Sequence, residues 1–158
     1  MSAPENQITS DGTPLFVSRF DNKVDEKRRI QIPSSWRRGQ SGVRYVLVPV
    51  PKRAWRPACL MAMTPEKYLS LVREVRQMPF SNDRADTLRR LMGARATEVE
   101  TDSAGRICLP EDVAKAVDVK DRVVLAGMID YFEVWSPERY AQMESGDDER
   151  AVEAFSMI

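Results

Sequence analysis

The chain of 158 residues contains no histidine, only two cysteines and only seven glycines. Without histidine there is no serine–histidine or cysteine–histidine nucleophile pair and no histidine metal site. The few glycines form neither a Walker loop nor a glycine-rich dinucleotide turn, and no nucleophile elbow occurs. Cys59 and Cys108 lie far apart on expected strands, so each reads as a small buried hydrophobe in a reducing cytoplasm. No apolar run approaches the roughly 18 residues that a bilayer span requires. Residues 1–7 lack the basic region and apolar core of a secretory signal. The expectation is a cytoplasmic, non-enzymatic chain with no cofactor, no metal, no membrane segment and no small-molecule substrate.

What is present is a repetition. Residues 23–33, Lys-Val-Asp-Glu-Lys-Arg-Arg-Ile-Gln-Ile-Pro, return as residues 100–110, Glu-Thr-Asp-Ser-Ala-Gly-Arg-Ile-Cys-Leu-Pro. Both fit Asp-x-x-x-Arg-Ile-x-(Ile/Leu)-Pro at an offset of 77 residues. A second phrase, Thr64-Pro65-Glu66-Lys67-Tyr68, recurs as Ser136-Pro137-Glu138-Arg139-Tyr140. A tandem repeat whose turn carries an arginine suggests a symmetric binding module. Each repeat is about 45–50 residues, close to the size at which a domain buries too little surface to stand alone. The halves are therefore expected to pack on each other, on other subunits, or both.

Each half reads as strand, arginine turn, strand, short helix, strand, strand, helix. In the first half the strands fall at 15–20, 29–32, 44–50 and 59–63, with a capped helical turn at 33–36. Pro49, Pro51 and Pro57 place the third of these strands at an edge or loop margin. Thr64-Pro65-Glu66 starts a helix that stops at Pro79, since it supplies a hydroxyl cap, a proline at the first helical position and a first-turn acid. Another helix opens at Ser81-Asn82-Asp83 and ends at Gly93. The second half repeats the pattern with strands at 95–100, 106–109, 122–126 and 131–135, a short helix at 111–117 and a last helix capped by Ser136. Residues 1–14 read as a disordered arm, and the acidic end at 144–158 as fraying into solvent. No strand pair within one half encloses a core, so interleaved hairpins forming one small barrel fit best. The aromatics Trp36, Trp55, Trp135, Tyr68 and Tyr140 are assigned to core or interface.

Asp102-Ser103-Ala104-Gly105-Arg106 is the sharpest local motif. An Asx-type turn begins at the aspartate, whose carboxylate can accept backbone N–H groups two residues on. Gly105 supplies positive φ, and Arg106 leaves the turn at the mouth of a strand. There its planar fork can reach a guanine edge or a phosphate. The first copy, Asp25-Glu26-Lys27-Arg28-Arg29, has Arg28 in place of the glycine and gains a run of three cations suited to phosphate contact. The plainer alternative is a hairpin whose arginine pairs only with the preceding aspartate.

Net charge is zero, but residues 19–56 hold eleven basic groups against three acids, and residues 97–142 hold five against ten. This asymmetry fits a basic face offered to phosphates, and it equally fits head-to-tail attraction between subunits.

The run from Arg90 to Ile107, with Val123-Val124-Leu125-Ala126-Gly127 and Tyr131-Phe132-Glu133-Val134-Trp135, resembles the MraZ family. The resemblance covers about residues 15–143 and is strongest in the second half. It implies a mainly β, α+β fold made of two tandem AbrB-like swapped-hairpin modules that form a pseudo-dimeric β-barrel with flanking helices. The modules would occupy residues 16–67 and 96–143, joined by a helical connection at 68–95. It further implies a DNA-binding regulator, usually a repressor, of the bacterial division and cell-wall gene cluster. Such a protein would be nucleoid-associated and would bind repeated promoter boxes as a ring-like homo-oligomer. The family's DNA-contacting arginine carries over to Arg106, and to Arg29 with Lys27 beside it, while Arg28 is a further DNA-binding candidate as the added cation of the first turn. Asp25, Asp102 and Gly105 would shape the turns, and Arg19, Arg37 and Arg38 are further candidates for phosphates. Arg28 departs from the family's turn glycine, and Ser18 stands where a glycine is usual. The rival reading is an oligomeric interaction scaffold that does not recognise specific DNA.

Overall fold

The computed structural model describes residues 9, 10 and 13–158, so most of the arm expected at 1–14 lies outside the described residues. Two short strands, β1 (Thr9–Ser10) and β2 (Thr13–Pro14), pair with each other. The first half then supplies β3 (Arg19–Lys23), β4 (Arg29–Gln31), β5 (Arg44–Lys52), β6 (Trp55–Met63) and helix α1 (Pro65–Arg76). Helix α2 (Asp83–Arg89) runs into a wider turn at Arg90–Ala94 and connects the halves. The second half supplies β7 (Thr97–Glu100), β8 (Arg106–Cys108), helix α3 (Glu111–Ala116), β9 (Arg122–Gly127), β10 (Phe132–Trp135) and helix α4 (Pro137–Phe155). No helix among the described residues is long and apolar enough to cross a membrane.

Six strands form one curled antiparallel sheet in the order β3-β9-β10-β6-β5-β7. The order is symmetric under exchange of the halves: β3 corresponds to β7, β5 to β9 and β6 to β10. Each half lends its first strand to the other, β3 pairing with β9 and β7 with β5, while β6 and β10 meet at the centre. β4 and β8 form a separate two-stranded ribbon. Its apolar residues Ile30, Ile32, Ile107 and Leu109 are fully buried against Leu47, Leu60, Leu125 and Phe132 of the sheet. Burial on this scale supplies most of the favourable free energy of such a fold, at roughly 25 cal/mol per Å² of apolar surface. The helices α1 and α4 cover the opposite face. Tyr68 and Leu71 pack on Val46, Val48 and Met63, and Tyr140 and Met143 on Ala58, Cys59 and Trp135.

The helix starts follow from local chemistry. Thr64 Oγ1 accepts from the Lys67 N–H at 3.1 Å and Ser136 Oγ from the Arg139 N–H at 3.3 Å, each just before a proline in the first turn. These caps satisfy donors that have no partner within the helix.

Several expectations are corrected. β5 is an inner strand, flanked by β6 and β7, and it tolerates Pro49 and Pro51 because its pairing with β7 ends at Leu47. Beyond that point the strand has one free edge, where a missing N–H costs nothing. The first strand begins at Arg19 rather than at 15, because Ser18 at φ +86° turns the chain after Phe16. The acidic end does not fray: α4 continues to Phe155, with Gly146 buried where the Arg53 guanidinium crosses it. Cys59 is buried, but Cys108 is exposed, since alternation along β8 turns Ile107 inward and its neighbours outward.

Candidate nucleic-acid interface

The two arginine turns are built alike. Asp25 Oδ1 accepts from the N–H groups of Lys27 at 2.9 Å and Arg29 at 2.8 Å, and Asp25 Oδ2 accepts from Arg29 Nε at 2.7 Å. Asp102 Oδ1 accepts from the N–H groups of Ala104 and Arg106, both at 2.9 Å, and its Oδ2 accepts from Arg106 Nε at 3.0 Å. Each turn is closed by a backbone bond, Arg28 N–H to Asp25 O and Gly105 N–H to Asp102 O, both 2.9 Å. Arg28 and Gly105 take up the left-handed conformation at φ +60° and +81°. Arg28 therefore adopts the glycine-like shape despite its side chain, at a cost of roughly 1–2 kcal/mol.

These bonds hold both carboxylates below their usual range. For Asp25 and for Asp102 the main cause is the backbone N–H donated by the turn's own arginine; desolvation opposes it, and the remaining turn donors and the guanidinium charge add to the lowering.

The ribbon sets the mutual placement of the turns. Arg29 lies opposite Cys108, Ile30 opposite Ile107 and Gln31 opposite Arg106. Two further bonds extend the pairing: Ile32 N–H to Gly105 O at 3.0 Å and Leu109 N–H to Arg28 O at 2.9 Å. Each is the image of the other under exchange of the halves. With Ile30 and Ile107 facing the core, Arg29 and Arg106 both stand on the outer face. They are diagonal neighbours, about 7–8 Å apart by the geometry of an antiparallel pair.

The ion pair of the plainer alternative is present in both halves, Arg29–Asp25 at 2.7 Å and Arg106–Asp102 at 3.0 Å. It engages only Nε. The arginine side chains remain 31% and 33% exposed, and neither Nη group of either residue has a partner among the described residues. The aspartate thus orients the fork and leaves its outer edge open to an acceptor.

Lys27 is exposed and Arg28 half-buried on the first turn, where Arg28 Nε also donates to Leu109 O at 3.0 Å. Arg19 lies at the far end of β3 from the turn, held by Glu144 at 3.0 Å and Asp21 at 3.2 Å and stacked on Tyr140. Gln31, which no sequence signal marks, donates from Nε2 to Ala104 O at 2.9 Å and so ties the first half's strand to the second half's turn. A polar residue at an outward position of a short strand gives no hint of a partner in the other half.

Two repeat-related halves sharing one curled sheet, with paired arginine turns displayed on a ribbon, define an interleaved α+β protein. The family model described as "MraZ protein, putative antitoxin-like" matches residues 92–155. A transcriptional regulator MraZ from Thermomicrobium roseum is 31% identical over 134 residues, covering 80% of this chain and 85% of that protein. One from Roseiflexus castenholzii is 29% identical over 138 residues, covering 87% and 92%. One from Acetivibrio thermocellus is 28% identical over 142 residues, covering 90% and 94%. The chain belongs to the MraZ family of transcriptional regulators.

Proposed function

We propose that the chain is a sequence-specific DNA-binding repressor of the bacterial division and cell-wall gene cluster, acting on repeated promoter boxes as a ring-like homo-oligomer at the nucleoid. Its two modules, 16–67 and 96–143, present one composite surface. Arg29 and Arg106 read base edges, and Lys27 and Arg28 neutralise phosphates. Asp25, Asp102 and Gly105 hold the turns in shape.

The observation that carries this reading is the pair of symmetry-related guanidinium groups on the outer face of the β4–β8 ribbon, each fixed through Nε and open at Nη. A two-stranded ribbon fits the major groove of B-form DNA, which is about 12 Å wide, and an arginine fork there can engage guanine O6 and N7. A separation of about 7–8 Å between the arginines spans roughly two base-pair steps of about 3.4 Å. One protomer therefore reads very little sequence. Useful affinity then depends on several protomers engaging several boxes at once, where linkage raises avidity without new contacts.

A salt titration tests the reading. Binding of the purified protein to a labelled duplex taken from upstream of its own coding sequence, and to a shuffled duplex, is followed by fluorescence anisotropy. The reading expects a steep fall of affinity with salt, a clear preference for the upstream duplex, and loss of that preference in Arg29→Ala and Arg106→Ala. Equal affinity for both duplexes, or variants that break oligomers while DNA retention is unchanged, would establish the scaffold alternative instead.

A further inference from the structure

The two halves differ at the position where they should match most closely. The first turn carries Arg28 where the second carries Gly105, which removes one guanidinium from the second turn. Tertiary structure restores it. Arg37 follows the short helical turn Ser34–Trp36, which is anchored by the buried Trp36 against Phe16, Phe20 and Phe132 and by Trp36 Nε1 donating to Val17 O at 3.0 Å. From there the Arg37 guanidinium lies against Gly105: a Cβ placed on that glycine would clash with Arg37 Cζ, Nη2 and Nε.

The hydrogen bonds are quasi-equivalent as well. Arg28 Nε donates to Leu109 O at 3.0 Å, and Arg37 Nε donates to Ile32 O at 3.0 Å. Ile32 and Leu109 are repeat-related positions, so the same carbonyl is capped by an arginine Nε in each half. Arg37 Nη1 also donates to Gln40 O at 2.9 Å, which fixes the plane of the group. The repeat partner of Arg37 is Ala114, which has no charge to offer. Each turn thus owns one such guanidinium, supplied by residue 28 in one half and residue 37 in the other.

We propose that Arg37 is the phosphate-contacting residue of the second turn, the functional counterpart of Arg28, so that the ridge presents Arg29 and Arg106 flanked symmetrically by Arg28 and Arg37. This rests on the DNA-binding reading above and sharpens it: composition alone ranks Arg37 with Arg19 and Arg38, whereas its seat on Gly105 assigns it a defined place and a partner. The glycine is what permits the arrangement, since any side chain at 105 would displace the guanidinium.

The experiment compares salt dependences on the upstream and shuffled duplexes for wild type, Arg28→Gln, Arg37→Gln and the double variant. Each single change is expected to lower the slope of log affinity against log salt by about 0.9 per engaged protomer, and the double variant by about twice that. The ratio of upstream to shuffled affinity should stay unchanged, because a phosphate contact carries no sequence information. Arg37→Lys keeps the charge and should keep the wild-type slope. An unaltered slope in Arg37→Gln, with or without a lower melting temperature, makes Arg37 only a structural brace and overturns the inference. If Arg37→Gln does not fold, arginine labelling of the wild type by phenylglyoxal decides the matter. Protection of Arg37 and Arg28 by bound duplex supports the inference, whereas unchanged labelling of Arg37 beside a protected Arg28 overturns it. A wild type that binds neither duplex would overturn the DNA-binding reading itself, an outcome distinct from a normal slope in Arg37→Gln.

Discussion

Ile30 and Ile107 sit opposite each other on the β4–β8 ribbon, both with no exposed surface, at the point where the two halves cross. Each is preceded by the arginine of its turn, so the contact between these side chains fixes where both guanidinium groups emerge. Ile30→Ala or Ile107→Ala should therefore cost about 2–5 kcal/mol, the range for emptying a well-packed aliphatic site. A urea melt followed by circular dichroism measures this. DNA affinity should fall only in step with the folded fraction.

The arginines themselves should behave in the opposite way. Both are partly exposed and contribute little packing, so Arg29→Ala and Arg106→Ala should shift the melting temperature only slightly. Each should weaken binding to the upstream duplex by about 1–3 kcal/mol, the range for one specific base contact. Anisotropy titrations at fixed salt, paired with thermal melts, separate the two effects.

Acid should loosen the turns. The carboxyl groups of Asp25 and Asp102 are held low, so their contribution to stability is fully present above the ordinary aspartate value of about 3.9 and is lost as pH falls through their lowered values. The urea midpoint should accordingly drop between neutral pH and about pH 3, and the drop should be smaller in the double variant Asp25→Asn, Asp102→Asn. An identical pH profile for the double variant would show that other carboxyl groups govern acid stability.

Residue 105 should lose stability on gaining a side chain, whereas residue 28 should tolerate glycine well. Gly105→Ala meets both the left-handed φ and the Arg37 guanidinium. It should cost about 1–3 kcal/mol, as side chains forced into such backbone positions do. Arg28→Gly relieves left-handed strain of roughly 1–2 kcal/mol, but it loses the bond to Leu109 O and frees the unfolded chain. These effects nearly cancel, leaving a net change within about 1 kcal/mol. Denaturant melts of the two variants test the contrast directly.

Much of this was legible in the residues because the relevant physics is local. An aspartate followed four residues later by an arginine can close an Asx turn within one short loop, and both turns form where the repeat places them. The helix starts at Thr64 and Ser136 were equally readable, since a cap and a following proline act within a single turn. Departures arose where the deciding contact is distant. The prolines of β5 suggested an edge or a loop margin, and they do lie toward the turn that ends the strand. Nothing near them in sequence, however, reveals that β7 flanks the strand as far as Leu47. The acidic end looked frayed because its charge is evident, whereas the seating of Arg53 against Gly146 is not. Cys108 looked buried by residue type, but the alternation set by Ile107 decided its side.

By itself, then, the order of residues determined two like halves, an arginine at the lip of each turn, and cores too small to stand apart. These follow from hydrogen-bonding and burial preferences that operate over a few positions along the chain. Tertiary structure alone decided that the halves exchange their first strands, that Arg29 and Arg106 share an outward face, and that Arg37 settles on Gly105. Such outcomes depend on contacts between residues remote in sequence, chosen because interleaving buries apolar surface that neither half can cover alone.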